Sequence, residues 1–311
     1  MSALRIVSFL PAATEMIYLL ELGDQLVGRS HECDYPIQVK DKPVIVDCAL
    51  DLSAMSMSEI DVAVSRQLAT GKSLYRVDEA KLRAAAPDIL VTQNLCQACG
   101  PAGNEVSQVL KTLSAAPRII WQTPGNFAEV LEAVRILGRE TGTAAKADRW
   151  ADEAVSRIQQ INAASRALRK TRVTFLEWVD PIYCGGHWIP QMLEWIAAED
   201  ANSRDGKDSV RIPWRSVLDY RPEVIFVAPC GFKTSKALAQ AELLKSRPGW
   251  NELPAVRDGR VFAVDANAYF ARPGPRLVEG VELMAHLVHP EHFEWTGPLN
   301  AYSRVDSSLV V

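Results

Sequence analysis

Short runs of aliphatic and β-branched residues recur along the first half of the chain, and a segment with helical periodicity follows most of them. This alternation is typical of a mostly parallel sheet flanked by helices. The pattern predicts strands at residues 5–9, 25–28, 43–46, 88–92 and 118–121. It predicts helices at 13–22 and 78–86, ended by Gly23 and Pro87, because glycine accepts a left-handed backbone and proline lacks the N–H that continues a helix.

The second half of the chain repeats the alternation. The pattern predicts strands at 173–177, 223–227 and 260–263, and helices at 189–197, 214–220 and 277–288. Residues beyond about 290 lose this periodicity. We therefore expect them to form a tail that packs on the surface.

Residues 144–170 contain neither glycine nor proline, and their apolar side chains share one helical face: Trp150, Ala154, Val155, Ile158 and Ile161. They predict one helix of about 40 Å, at a rise of about 1.5 Å per residue. The expected fold class is α/β, with two lobes that each have a mostly parallel sheet flanked by helices, joined by this helix. The expected divisions are an N-terminal lobe at 1–125, a helical segment at 126–170, a C-terminal lobe at 171–290 and a tail at 291–311.

Composition narrows the class of protein. The chain has 311 residues, 48% of them hydrophobic, which suits two domains. A formal net charge of −4 provides no basic excess to neutralise phosphates, so we expect no nucleic-acid partner. No apolar stretch approaches the roughly 18 to 20 residues that cross a bilayer, and no signal peptide follows Met1. As written, the sequence predicts a cytoplasmic monomer, or a periplasmic one if a signal peptide has been removed.

Cysteines, aromatic rings and histidines are concentrated just after the predicted strands. The six cysteines are Cys33, Cys48, Cys96, Cys99, Cys184 and Cys230. The rings are Tyr35, Tyr183, His187, Trp188, Trp214, Phe232 and Tyr269. Ligands of open α/β sheets bind beyond the carboxyl ends of the strands, and flat rings suit a wide, flat, amphipathic ligand. The pattern therefore predicts a binding site formed by these loops, although each cysteine by itself is more typical of an inert core residue.

Polar groups in the same loops are further candidates. Pro11, Ala12, Thr14 and Glu15 open the first helix directly after the first strand, where free N–H groups would face an acidic or amide-bearing ligand, or form an ordinary helix start. Arg272 lies with Arg276 in a stiff loop that would clamp a carboxylate or phosphate, or only begin a helix. The remaining candidate ligand contacts are His31, Gln93, Asn94, Cys33 and Cys96.

A thiol-based metal or redox protein is an alternative hypothesis. Cys96 and Cys99 supply half of a tetrahedral zinc site, and Cys33 and His187 would have to converge on it through folding. Hydrolysis is not indicated, because the chain has no Gly-x-Ser-x-Gly and no His-Glu-x-x-His motif. The pattern selects no catalytic residue and requires no cofactor.

Five segments carry a resemblance to a known family: Arg5-Ile-Val-Ser-Phe-Leu-Pro-Ala-Ala-Thr-Glu15, Leu22-Gly-Asp-Gln-Leu-Val-Gly28, Cys33-Asp-Tyr-Pro36, Ala86-Pro-Asp-Ile-Leu90 and Tyr269-Phe-Ala-Arg-Pro-Gly-Pro-Arg276. Over about residues 4 to 289 the chain resembles the cobalamin-binding, iron-siderophore-type substrate-binding proteins of ABC transporters. The resemblance implies two α/β lobes joined by one long helix, with the ligand in a cleft between them. It also implies that Trp214 and Tyr183 match two rings that pack on the corrin, while Gln93 stands where another tryptophan is expected.

The resemblance further implies an ABC permease as partner, contacted through one exposed carboxylate in each lobe. Glu79 is the candidate in the first lobe, whereas Arg215 occupies the corresponding place in the second. A base facing a permease arginine would cost about 1 kcal/mol or more, so docking on a standard permease is expected to be impaired.

The leading hypothesis is a non-enzymatic binding protein for cobalamin, a related corrinoid or another metal chelate. A third hypothesis is an enzyme acting on a corrinoid, with His31, Glu15 or His187 as its acid or base.

Overall fold

The computed structural model describes residues 3–93, 110–111 and 113–306. The chain divides into two compact units. The first unit comprises Met1–Pro124 and Ala128–Ala151, and the second comprises Gly125–Phe127 and Asp152–Val311. The division therefore falls inside the predicted long helix.

The first unit contains a six-stranded sheet in the order β4-β3-β2-β1-β5-β6. Its strands are β1 (Ile6–Ser8), β2 (Leu26–Ser30), β3 (Val44–Cys48), β4 (Tyr75–Val77), β5 (Ile89–Thr92) and β6 (Arg118–Trp121). Five of the strands are parallel, and β4 pairs antiparallel with β3. The five predicted strands are confirmed. The pattern did not predict β4, because three residues with one buried side chain give too little alternation to read.

The described helices of the first unit are α1 (Pro11–Leu19), α2 (Met57–Ala69), α3 (Glu79–Ala85) and α4 (Phe127–Glu140), whose first residue belongs to the second unit. The predicted bounds of the first helix were wrong. The helix begins at Pro11, whose fixed φ suits the first helical position. It ends at Leu19, four residues before Gly23. The prediction for α3 was close: Asp78 caps it by accepting from Lys81 N (3.0 Å).

The second unit is built on β7 (Thr171–Val179), β8 (Ile182–Cys184), β9 (Ala198–Glu199), β10 (Val224–Val227), β11 (Val261–Val264) and β12 (Tyr302–Arg304). The strand order is β12-β11-β10-β7-β8, and β9 pairs with β7. The central strands β7, β10 and β11 are parallel, and the two edge strands are antiparallel. The prediction of an irregular tail was wrong at β12, because Tyr302 packs edge-on against Phe262 (6.1 Å between ring centroids) while its strand extends the sheet.

The remaining helices are α5 (Ala144–Ser165), α6 (Ile189–Trp195), α7 (Trp214–Tyr220), α8 (Thr234–Lys245), α9 (Pro254–Arg257), α10 (Ala266–Tyr269) and α11 (Leu277–Val288). The predicted bounds of α7 and α11 are confirmed. The long helix α5 ends five residues earlier than predicted. Its buried positions recur every three or four residues: Ala147, Ala151, Ala154, Ile158 and Ile161. In the part of the chain that the structure describes, no helix combines the length and the apolar character needed to cross a bilayer.

In each sheet the carboxyl ends of the parallel strands lie along one edge, which we call the exit edge of that unit. Helices α1, α8 and α10 begin in the loops that leave these strands. Helices α3 and α7 each precede a parallel strand and therefore begin on the exit-edge side of their own unit. Among the described residues, the predicted contacts Tyr35, Gln93 and Phe232 lie in segments that follow these strands.

Candidate functional site

The start of α1, at the exit edge of the first unit, is packed into the interior. Pro11, Ala12, Thr14 and Glu15 are all buried, and Glu15 is only 5% exposed. Thr14 Oγ1 lies 3.0 Å from the sulfur of Cys33, which is itself buried. These side chains therefore pack beneath the exit edge and expose little surface to solvent. As ligand contacts they remain predictions.

The segment after β2 carries the most exposed of the predicted rings. Tyr35 is 49% exposed and Ile37, two residues later, is 63% exposed. His31 lies nearer the sheet, with Nδ1 3.3 Å from the carbonyl oxygen of Val46 and 3.7 Å from Asp47 Oδ1. Tyr35 thus presents an apolar ring toward solvent at this edge, whereas His31 is engaged by β3.

Two glutamines follow β5 and β6 at the same edge. Gln93 and Gln122 are each 4% exposed, and the backbone N–H of Gln122 donates to Thr92 O (2.8 Å). Trp121, directly before Gln122, ends β6 and is 43% exposed. Trp121 was not among the predicted contacts, although its place at a strand end is the signal that selected the others. Asn94, Cys96 and Cys99 lie outside the described residues.

The exit edge of the second unit holds a pair of half-buried rings. Trp178, near the end of β7, and Phe232, in the loop after β10, have ring centroids 5.6 Å apart at an interplanar angle of 56°. The indole N–H of Trp178 donates to Asp180 O (3.1 Å), and Phe232 O accepts from Ala266 N (3.1 Å). Both ends of the pair are therefore held by backbone hydrogen bonds. Phe232 was predicted, whereas Trp178, which directly follows the predicted strand at 173–177, was not among the predicted contacts.

Tyr183 and Trp214, the rings implied by the resemblance, are half-buried and held inside the second unit. The hydroxyl of Tyr183 accepts from Arg211 Nε (2.9 Å). Trp214 stacks on Trp250 at 6.2 Å and donates to the carbonyl oxygen of Pro248 (2.7 Å). These contacts fix the orientation of both side chains. Their role in ligand binding stays a prediction.

Trp188 and Tyr269 belong to the core of the second unit. Trp188 is 5% exposed and its indole N–H donates to Phe270 O (2.9 Å). Tyr269 is 7% exposed and packs edge-on against Trp295 (5.8 Å). Their burial favours a packing role over the predicted ligand contact, since neither ring offers a face to a ligand. Arg272, in contrast, is half-buried in the loop before α11.

A half-buried carboxyl precedes Trp178 along β7. Glu177 precedes Trp178 and accepts a hydrogen bond from Gly186 N (2.8 Å). The pKa of Glu177 is raised to about 6, mainly by burial and in smaller part by the nearby Asp208 carboxylate, whereas hydrogen bonds from Gly186 and Ser209 act to lower it. Asp208 also lies 3.0 Å from His187 Nε2, so that His187 is paired within its own unit.

Glu177 gives the folded protein a specific pH dependence. Because its pKa is raised from 4.5 to about 6 in the folded state, the folded state holds the proton more tightly than the unfolded chain. Its contribution to stability is full below about pH 4.5 and is lost as the pH rises through about 6. Relative to Glu177→Gln, the free energy of unfolding of the wild type should fall by up to about 2 kcal/mol between pH 4.5 and 6.5 in urea titrations.

Glu223→Gln is a control for which we expect the opposite pH dependence of stability. Hydrogen bonds from Arg169 lower the pKa of Glu223, so the advantage of the wild type over this variant should shrink as the pH falls below about 4.5. A wild-type to Glu177→Gln difference that stays constant across the range would contradict the assignment of Glu177.

The sulfurs of the described residues do not form a cluster. Cys33 and Cys184 are buried, Cys48 is partly buried and Cys230 is exposed, and none of these four is in a disulfide. Within the described ranges, no three His, Cys, Asp or Glu side chains are arranged to hold a metal ion. The described residues thus give the metal or redox hypothesis no support, including its suggested use of Cys33 and His187.

The two candidate docking positions are exposed and carry opposite charges. Glu79, in the first turn of α3, pairs with Arg83 (3.3 Å). Arg215, in the first turn of α7, pairs with Asp219 (2.8 Å). Each position lies on the exit-edge side of its own unit. The expected acid in the second unit is replaced by a base, with a carboxylate one turn further along the helix.

Comparison with known proteins extends over nearly the whole chain. The family described as "periplasmic binding protein" matches residues 6–268. The uncharacterized ABC transporter substrate-binding lipoprotein YvrC of Bacillus subtilis is 28% identical over 297 residues, which cover 93% of this chain and 81% of that protein. A vitamin B12-binding protein of Vibrio parahaemolyticus is 22% identical and covers 93% of this chain and 89% of its own length.

Solved structures share the fold. A periplasmic heme-binding protein from Pseudomonas aeruginosa superposes with a TM-score of 0.71 at 19% identity, covering 97% of this chain and 98% of that one. The periplasmic vitamin B12-binding protein BtuF of Vibrio cholerae has a TM-score of 0.65 at 19% identity, covering 91% and 96%. At these identities the likeness establishes the architecture of both units.

Proposed function

The chain belongs to the periplasmic binding protein family, and we propose that its ligand is cobalamin, a related corrinoid or a similar flat metal chelate. The observation that carries the proposal is the pair formed by Trp178 and Phe232 at the exit edge of the second unit. Aromatic faces provide a large contact area at little cost in side-chain entropy, which suits a wide and rigid ligand.

The first unit supports the same class of ligand. Tyr35 and Trp121 are 49% and 43% exposed at its exit edge. Exposed rings at this edge offer flat contact area to a wide and rigid ligand. We therefore propose Tyr35 as a ligand contact at the exit edge of the first unit.

These residues support ligand binding without catalysis. The relatives with assigned roles are binding proteins. His31 lies 3.3 Å from the carbonyl oxygen of Val46, His187 lies 3.0 Å from Asp208, and Glu15 is in the buried start of α1. A general acid or base must reach its substrate, so these engaged groups do not favour catalysis.

The relatives also bear on location and partner. YvrC is named as a lipoprotein and BtuF as a periplasmic protein. The cytoplasmic location expected from the sequence has no support among them. We propose that the chain works in the cell envelope and delivers its ligand to an ABC permease, contacted at Glu79 on one side. At Arg215 the permease would present an acidic group instead of a basic one.

Fluorescence titration tests the proposed ligand class. The chain has eight tryptophans, and cyanocobalamin or hemin stacked on Trp178 would quench its emission. We expect saturable quenching by cyanocobalamin and dicyanocobinamide at micromolar concentration or below, equivalent to about 8 kcal/mol of binding free energy. Free N-acetyltryptophanamide at equal absorbance corrects for the light that the ligand absorbs.

The three ligands distinguish binding of a corrinoid from binding of another flat chelate. Quenching by dicyanocobinamide as well as cyanocobalamin supports recognition through the corrin ring itself. Saturable binding of hemin alone would retain a flat chelate but reject the corrinoid. If none of the three ligands changes the protein emission or its own visible spectrum at micromolar concentration, the proposed function is wrong.

A further inference from the structure

A buried arginine lies beneath the segment that presents Tyr35. Arg29, on β2, is 8% exposed. Its Nε donates to Lys42 O (3.1 Å) and its Nη2 to Lys40 O (3.4 Å). Its Nη1 donates to Ser30 O (3.1 Å) and to Cys33 O (3.3 Å). One guanidinium therefore joins the beginning and the end of residues 30–42.

The positions of the four carbonyl groups decide what this guanidinium does. Ser30 and Cys33 precede Tyr35, whereas Lys40 and Lys42 follow it. The ring of Tyr35 thus lies at the tip of a segment whose two ends are held together from below. A loop tied at both ends has few conformations to lose when a ligand binds at its tip, which preserves affinity.

The hydrogen bonds to these four carbonyl groups require the guanidinium of an arginine. In the described part of the chain the guanidinium of Arg29 is satisfied by backbone carbonyls, and no carboxylate pairs with it. A buried charge is tolerated only when it is fully hydrogen-bonded. Lysine keeps the charge but has one nitrogen, which cannot reach carbonyls on both sides of the fork.

We propose that Arg29 is a positioning residue for ligand binding, which holds residues 30–42 in the conformation that presents Tyr35. The role of Arg29 in ligand binding rests on the proposed function. Its role in holding residues 30–42 does not, because the conformation of this segment can be measured without ligand. The sequence resemblance and the candidate contacts do not include Arg29.

Hydrogen exchange followed by mass spectrometry tests the conformation in the ligand-free protein. In Arg29→Lys, peptides that cover residues 31–42 should exchange at least about tenfold faster, because the amides of Cys33, Val39 and Lys42 depend on this segment for their hydrogen bonds. Arg5→Lys is the matched control. Arg5 directly precedes β1 of the same sheet, and its Nε also donates to a backbone carbonyl oxygen, that of Ala85 (2.8 Å). Arg29→Gln replaces the lysine variant if that variant does not fold. Unchanged exchange in residues 31–42 would overturn the proposal.

A double-mutant cycle with Tyr35 separates positioning from general stability. Arg29→Lys should weaken cyanocobalamin binding about tenfold in the wild-type background and less than about twofold in Tyr35→Ala. An equal loss in both backgrounds would overturn action through Tyr35. If the wild type binds neither cyanocobalamin nor hemin, the proposed function fails, while the exchange measurement still decides whether Arg29 holds the segment.

Discussion

Replacing Trp178 and Phe232 together by leucine is expected to weaken cyanocobalamin binding at least about 30-fold. Clustered aromatic contacts at the centre of a binding surface each contribute about 2 kcal/mol or more when they are desolvated by the ligand. Leucine keeps an apolar side chain against the sheet but removes the flat faces, so the thermal unfolding midpoint should change little. Isothermal titration calorimetry measures the affinity, and circular dichroism checks the fold.

Trp195→Leu is the matched control for this variant. Trp195 is another half-buried ring of the second unit, packed edge-on against Phe127 at 5.2 Å. It ends α6 beside β9, which pairs with the first residues of β7 and therefore lies at the opposite end of the sheet from Trp178. Its replacement should leave the affinity within about twofold. Equal losses in the control and in the double variant would mean that the ring pair has no specific role.

Gly280→Ala is expected to destabilise the protein by about 2 to 3 kcal/mol. A Cβ at this position in α11 would lie 2.3 Å from the carbonyl oxygen of Tyr269 and 3.0 Å from the Cε of Met192. A backbone oxygen cannot yield as a side chain does, so α10 or α11 would have to shift, and such overpacking costs about 1 to 3 kcal/mol or more. Urea unfolding of both proteins measures the difference.

The direction of the change in unfolding free energy in Gly280→Ala distinguishes close packing from helix propensity. Helix propensity alone predicts that alanine stabilises an interior helical position by about 0.5 to 1 kcal/mol. Gly23→Ala provides a comparison, because the three atoms nearest to its Cβ would belong to the partly exposed ring of Tyr18, a side chain rather than backbone. We expect less than about 1 kcal/mol there. A Gly280→Ala protein as stable as the wild type would show that the close approach of α10 to α11 is not needed.

The sequence predicted the central strands of both sheets because each is buried on both faces and reads as an unbroken apolar run. Helices α7 and α11 were predicted at their observed bounds, since each begins after a proline-containing loop and α11 has a strong apolar face. The short edge strands β4 and β12 were missed. Their three residues form strands only because a neighbouring strand pairs with them, and such non-local pairing leaves no local pattern.

The site was predictable in its location but not in the direction of its side chains. The rule that ligand groups follow strands selected Tyr35 and Phe232, which are exposed or half-buried at the exit edges. The same rule selected Trp188 and Tyr269, which turn into the core. It did not select Trp178, although this residue directly follows the predicted strand at 173–177; in the structure β7 continues to Val179.

The most direct test of the central claim is a crystal structure of the protein with cyanocobalamin bound. We expect atoms of the ligand within about 4 Å of the rings of Trp178 and Phe232. A corrinoid bound elsewhere, with these two rings as exposed as in the free protein, would contradict the proposed function.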